Sequence, residues 1–95
     1  MSDEVVVVIG SGAIAQAITR RIGTSKIILL ADIKAENMIT VVDTLSKVGF
    51  IVHTQIVDVG DRASIQNLVS KANQLGHIVN VIHTAGLSPS QASAE

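Results

Sequence analysis

Gly10-Ser11-Gly12-Ala13-Ile14-Ala15 sets two glycines and two alanines within six consecutive positions, spaced G-x-G-x-x-A. The chemistry open to such a segment is anion binding by the backbone. A first glycine permits a tight turn, a second lets the chain approach a diphosphate, and a small last residue lets a helix pack closely on a strand. Amide hydrogens of the helix that follows, that of Ile14 among them, then face the phosphates with the helix dipole behind them. No Gly-Lys-Ser/Thr follows, so a Walker-type phosphate loop is excluded. By itself the segment also suits a turn kept small only for packing. A second residue adds weight to the binding reading. Asp32 lies 22 positions after Gly10 (32 minus 10), with Ile33 beside it in the candidate set. A carboxylate there can accept hydrogen bonds from ribose hydroxyls, and it would repel a 2′-phosphate. The expected cofactor is therefore NAD rather than NADP. Asp58-Val59 and His83-Thr84-Ala85-Gly86 close two later apolar runs. Both would stand at carboxyl ends of strands, where open α/β sheets bind ligands.

Those positions need a scaffold, and the pattern of the chain supplies one. Four apolar runs occur at 5–9, 27–31, 51–57 and 78–82. The first two are continuous rather than alternating, as in parallel strands covered on both faces. Valine and isoleucine each occur 13 times, together 26 of 95 residues, and β-branched side chains suit such strands. Between the runs lie three stretches with apolar residues at helical spacing. The first carries Ile14, Ala17, Ile18 and Ile22; the second Met38, Val41, Val42, Leu45 and Val48; the third Ile65, Leu68, Val69, Ala72 and Leu75. Gly23, Gly49 and Gly76 follow them, each suited to a left-handed helix C-cap. Asp61 is the expected N-cap of the third helix. Strands alternating with helices make a parallel α/β sheet with helices on both faces.

Composition narrows the classes. The chain has 95 residues, 47% apolar and 16% charged, with a formal net charge of −1. That is one small domain. There is no cysteine, so neither a disulfide framework nor a thiolate metal site exists. No histidines or carboxylates share a helix face at metal-ligand spacing. The near-neutral charge offers no footprint for nucleic acid or an anionic membrane. No uninterrupted apolar run exceeds five residues, too short to span a bilayer. The first residues, Met-Ser-Asp-Glu, are acidic where a secretory signal is basic, and a cytoplasmic location is expected. Phe50 is the lone aromatic residue, and no tyrosine can act as a phenolic acid or base. His83, Ser88 and Ser90 have no second group to complete a catalytic pair.

Taken together, the glycine turn, Asp32, Asp58-Val59 and Thr84-Ala85-Gly86 resemble the N-terminal half of the short-chain dehydrogenase/reductase family, from Val5 to about Gly86. The resemblance implies that Asp58 and Val59 contact the adenine. His83-Thr84-Ala85-Gly86 stands where the family has Asn-Asn-Ala-Gly, with Ala85 and Gly86 along the middle of the cofactor. The glycine segment departs from the family's G-x-x-x-G-x-G: it is one residue shorter, and Ala13 and Ala15 fill the later glycine positions. The family's catalysis resembles Ser, Tyr and Lys acting together, with a Tyr-x-x-x-Lys beyond the fourth strand. This chain has no tyrosine, so no catalytic residue is assigned. The implied architecture is a Rossmann-like three-layer sandwich with strand order 3-2-1-4, truncated after the fourth strand. Residues 1–86 would form the cofactor-binding portion and 87–95 an irregular tail. The expected role is NAD or adenine-nucleotide binding without turnover, in an alcohol/carbonyl oxidoreductase whose remaining parts lie elsewhere. A regulatory nucleotide module and a non-binding interaction scaffold are the alternatives. The fourth strand would present an apolar edge, and self-association through it is expected.

Overall fold

The structure, a computed structural model, describes residues 3–10, 12–22 and 24–83. Strands β1 (Glu4–Ile9), β2 (Ile27–Asp32), β3 (Ile51–Ile56) and β4 (His77–His83) alternate with helices α1 (Ala13–Ile22), α2 (Ala35–Lys47) and α3 (Arg62–Leu75). All strand pairings are parallel and the order is β3-β2-β1-β4. The expected sheet and strand order are both present.

The continuous apolar runs follow from the layering. Side chains alternate across a strand, so covering both faces demands apolar residues at every position. Val6, Val8, Ile28 and Leu30 point to one face, against Ala15 of α1 and Met38, Val41 and Leu45 of α2. Val5, Val7, Leu29 and Ala31 point to the other, against Leu68 and Ala72 of α3. The outer strands β3 and β4 are only partly covered, and neither contains a fully buried residue. The β1–β4 register shifts between Val5 and Val6: Val5 faces Ile78 and Val6 faces Asn80, so Val79 is extra on β4.

Three local expectations are corrected. Ala17 is exposed, and α1 instead turns Ala15 and Thr19 inward. Thr19 is tolerated there because its hydroxyl donates to the Ala15 carbonyl at 2.8 Å, so the buried oxygen is paired. Gly76 is extended (φ 161°) rather than left-handed. Its glycine is required because an added Cβ would collide with the Asp3 backbone. The third strand stops at Ile56, and Val57 lies just beyond it, buried against α3. Gly49 does take positive φ (98°), after Val48 at the C-cap of α2. Gly23 lies outside the described residues.

Candidate functional site

The carboxyl ends of the three strands β1, β2 and β3 are stitched together by backbone bonds just past the ladder. The Gly10 amide donates to the Ala31 carbonyl at 2.6 Å, and the Val57 amide donates to the Asp32 carbonyl at 3.0 Å. The turn after β1, the acid ending β2 and the segment after β3 are thereby held side by side. They line a cleft of about 160 Å³ formed by Ile9, Gly10, Asp32, Ile33, Val57, Asp58 and Val59. Five of these, Gly10, Asp32, Ile33, Asp58 and Val59, are sequence-predicted site residues. Ile9 and Val57 are additional; both belong to apolar runs and carry no chemical signal of their own.

Gly10 has φ 107°, a conformation that glycine adopts without the penalty other residues carry. The chain turns there as the sequence implies. Gly12 stands just before α1, its carbonyl accepting from the Gln16 amide at 3.1 Å. It does not line the cleft. A Cβ added to Gly12 would meet no described atom within 4 Å. Among the described residues packing therefore does not require glycine at position 12, and the space above it is open to a group from outside the chain. Ile14 lies in the first turn of α1, where backbone amides have no carbonyl partner within the helix. Ser11, Thr84, Ala85 and Gly86 fall outside the described residues.

The two acids are oriented in the same way. Asp32 Oδ1 accepts the Lys34 amide at 3.1 Å and the Asn37 side-chain amide at 3.3 Å. Asp58 Oδ1 accepts the Gly60 amide at 2.9 Å, and the Asp58 amide donates to the Ser64 hydroxyl at 2.8 Å. Each carboxylate closes a turn with the amide two residues on, as Asp often does before a helix. Ile33 and Val59 are 60% and 48% exposed, so two apolar side chains stand open at the rim between the acids. A flat apolar ring with polar groups on its edge matches such a site: apolar walls with a few placed carboxylate oxygens. The cleft is smaller than the ~300–1,000 Å³ that holds a drug-sized molecule, so it suits one moiety of a larger ligand. Among the described residues no cluster of three potential metal ligands occurs. A larger groove of about 770 Å³ runs between α2 and β3. It contains none of the predicted site residues and a single charged side chain, Asp43, which pairs with Lys47 at 3.0 Å on the surface.

The KR-domain family profile matches residues 4–95. The chain belongs to the KR-domain family of short-chain dehydrogenases/reductases. The short-chain dehydrogenase/reductase bsc3 of Alternaria brassicicola is 35% identical over 95 residues, covering 100% of this chain and 35% of the relative. A short-chain dehydrogenase/reductase from Burkholderia phymatum, solved in complex with NAD, is 27% identical. It has a TM-score of 0.67, with 77% of this chain and 27% of that one covered. A short-chain dehydrogenase from Rhodopseudomonas palustris shares the fold at 16% identity and a TM-score of 0.78, covering 87% and 40%. This KR-domain chain thus spans about a third of the length of the relatives it matches. No helix among the described residues is long and apolar enough to cross a membrane.

Proposed function

We propose that this chain is the NAD(H)-binding portion of a short-chain dehydrogenase-like oxidoreductase. The observation that carries the reading is the convergence of Gly10, Asp32, Ile33, Asp58 and Val59 on one cleft at the carboxyl edge of the sheet. The NAD complex of the Burkholderia phymatum relative supports the choice of ligand. Asp32 would accept from the adenosine ribose, and its negative charge disfavours a 2′-phosphate. Ile33 and Val59 would flank the adenine, with Asp58 at its polar edge. Gly10, Ser11 and Gly12 would leave space for the diphosphate, and the Ile14 amide would face it from the helix N-terminus. Thr84, Ala85 and Gly86 would lie along the middle of the cofactor. When bound, the nicotinamide supplies a hydride acceptor or donor; full-length relatives would use it to interconvert an alcohol and a carbonyl. The cofactor-binding portion in this reading runs over residues 1–86.

Titration calorimetry with NAD, NADP and AMP tests the proposal. NAD and AMP are expected to bind saturably, NADP more weakly, and Asp32→Ala is expected to lose most of the NAD affinity. Absence of saturable binding by all three nucleotides would leave only an interaction scaffold. A second reading is a self-contained module that binds the nucleotide without chemistry. It predicts that the chain folds stably on its own and keeps its NAD affinity. Self-association through the outer edge of β4 is also part of this proposal.

A further inference from the structure

The two acids at the cleft share a feature beyond their own turns. Each is contacted by the third residue of the helix that follows. Lys34 precedes the first residue of α2, and Asn37 is the third residue within it; its side-chain amide reaches back five positions to Asp32 Oδ1 at 3.3 Å. Asp61 caps α3, and Ser64 is the third residue within that helix; its hydroxyl reaches back six positions to accept the Asp58 amide at 2.8 Å. The third helical position is where a side chain can fold back over the helix start, as in a capping box. In a capping box the target is the N-cap itself, but here both side chains pass over it to a residue nearer the strand. Both contacts lie at the surface, so neither is demanded by the core.

We infer that Asn37 and Ser64 are positioning residues that fix the ribose-facing and adenine-facing acids, an inference that rests on the nucleotide reading above. Asn37 adds a side-chain donor to the Oδ1 atom already held by the Lys34 amide, so the Asp32 carboxylate is oriented from two sides. Ser64 holds the backbone from which the Asp58 side chain departs, while the Gly60 amide holds its Oδ1. Gly60 is part of the same device, since a Cβ there would sit 3.3 Å from Asp58 Oδ1. A carboxylate held in one orientation before the ligand arrives loses less freedom on binding it.

The test measures discrimination between ligands rather than affinity alone. AMP against 2′-deoxy-AMP reports the ribose contact. AMP against IMP, which has a carbonyl in place of the exocyclic amine, reports the contact at the adenine edge. Asn37→Ala is expected to cut the AMP/2′-deoxy-AMP preference by about three- to tenfold, the worth of one hydrogen bond, and to leave the AMP/IMP preference unchanged. Ser64→Ala is expected to do the reverse, and Ser64→Thr, which keeps the hydroxyl, to restore it. Asn37→Asp, which sets a second carboxylate against the first, is expected to behave as Asn37→Ala does. In an Asp32→Ala background Asn37→Ala should have no further effect. The inference is overturned if Asp32→Ala and Asp58→Ala abolish their respective preferences while the Asn37 and Ser64 variants keep both at wild-type size. If the aspartate variants themselves leave both preferences intact, the nucleotide reading falls, and the inference with it.

Discussion

An added methyl group at residue 76 would strike the Asp3 carbonyl, the same carbonyl that accepts the His77 amide at 2.7 Å. Backbone sits on backbone there, and neither side can yield cheaply. Gly76→Ala is expected to destabilise the chain by about 2 kcal/mol, in the range of a steric fault at a tight site, and to lower Tm by roughly 10 °C for a domain of this size. Gly12 is the converse case. An added methyl group meets no described atom within 4 Å, so Gly12→Ala should melt within a degree or two of wild type. If a diphosphate lies against that backbone, the same substitution should weaken NAD about tenfold, a loss near 1.4 kcal/mol. Thermal melts read beside NAD titrations separate the two positions. A Gly12→Ala protein with unchanged NAD affinity would return the turn to a packing role. From the sequence Gly12 belongs to a phosphate-type turn and Gly76 to a helix end, but neither reading says what a side chain would meet there. What distinguishes them is a contact 73 positions away in the chain (76 minus 3) in one case, and open space in the other.

The helices of this domain begin and end by local rules that differ in strength. Asp61 accepts the Ala63 amide at 3.0 Å and caps α3. Asp61→Ala is expected to cost about 1 kcal/mol and to lower Tm by about 4–8 °C, measured by circular dichroism; an unchanged melt would mean that packing alone holds the helix start. Lys34 precedes α2 without a side-chain cap, and Asp32 and Asn37 cluster there instead. The cap of α3 was legible because Asp before a helical pattern has one dominant use. The strands were legible because coverage on both faces writes itself as Val5–Ile9 and Ile27–Ala31 without interruption. The inward face of α1 was not, because Thr19 reads as polar until its hydroxyl is seen to bond its own helix. The acids and glycines of the cleft were legible as types at spacings. Asn37 and Ser64 were not, since a side chain folding back over a helix start leaves only an Asn or Ser at a helix position that many residues could occupy.

At the scale of the whole molecule, both sheet edges expose apolar side chains among the described residues, Val81 on β4 and Ile51 and Ile56 on β3. On the described residues β4 pairs with β1 on one side only, and β3 pairs with β2 on one side only. Neither strand contains a lysine, an acid or a proline, the residues that discourage pairing with another chain. On β4, Val81 pairs with Val7, which is buried beneath α3, yet Val81 itself is 62% exposed. Among the described residues the α3 face of the sheet therefore runs out of cover at the β4 edge, where an apolar side chain and a row of backbone donors and acceptors are open together. A domain of this size buries only about two-thirds of its unfolded surface, so further burial there is favourable. The expected outcome is a concentration-dependent dimer or larger species by analytical ultracentrifugation at high micromolar concentration. Val81→Lys should shift it toward monomer, because a charge on the edge must be desolvated before a second strand can pair. Ile56→Lys, at 55% exposure on the opposite edge, asks whether β3 takes part and should leave the distribution unchanged where β4 alone pairs. Equal dissociation by both variants would assign the contact to general apolar surface, and a wild-type protein that sediments as a clean monomer would dismiss the β4 edge altogether.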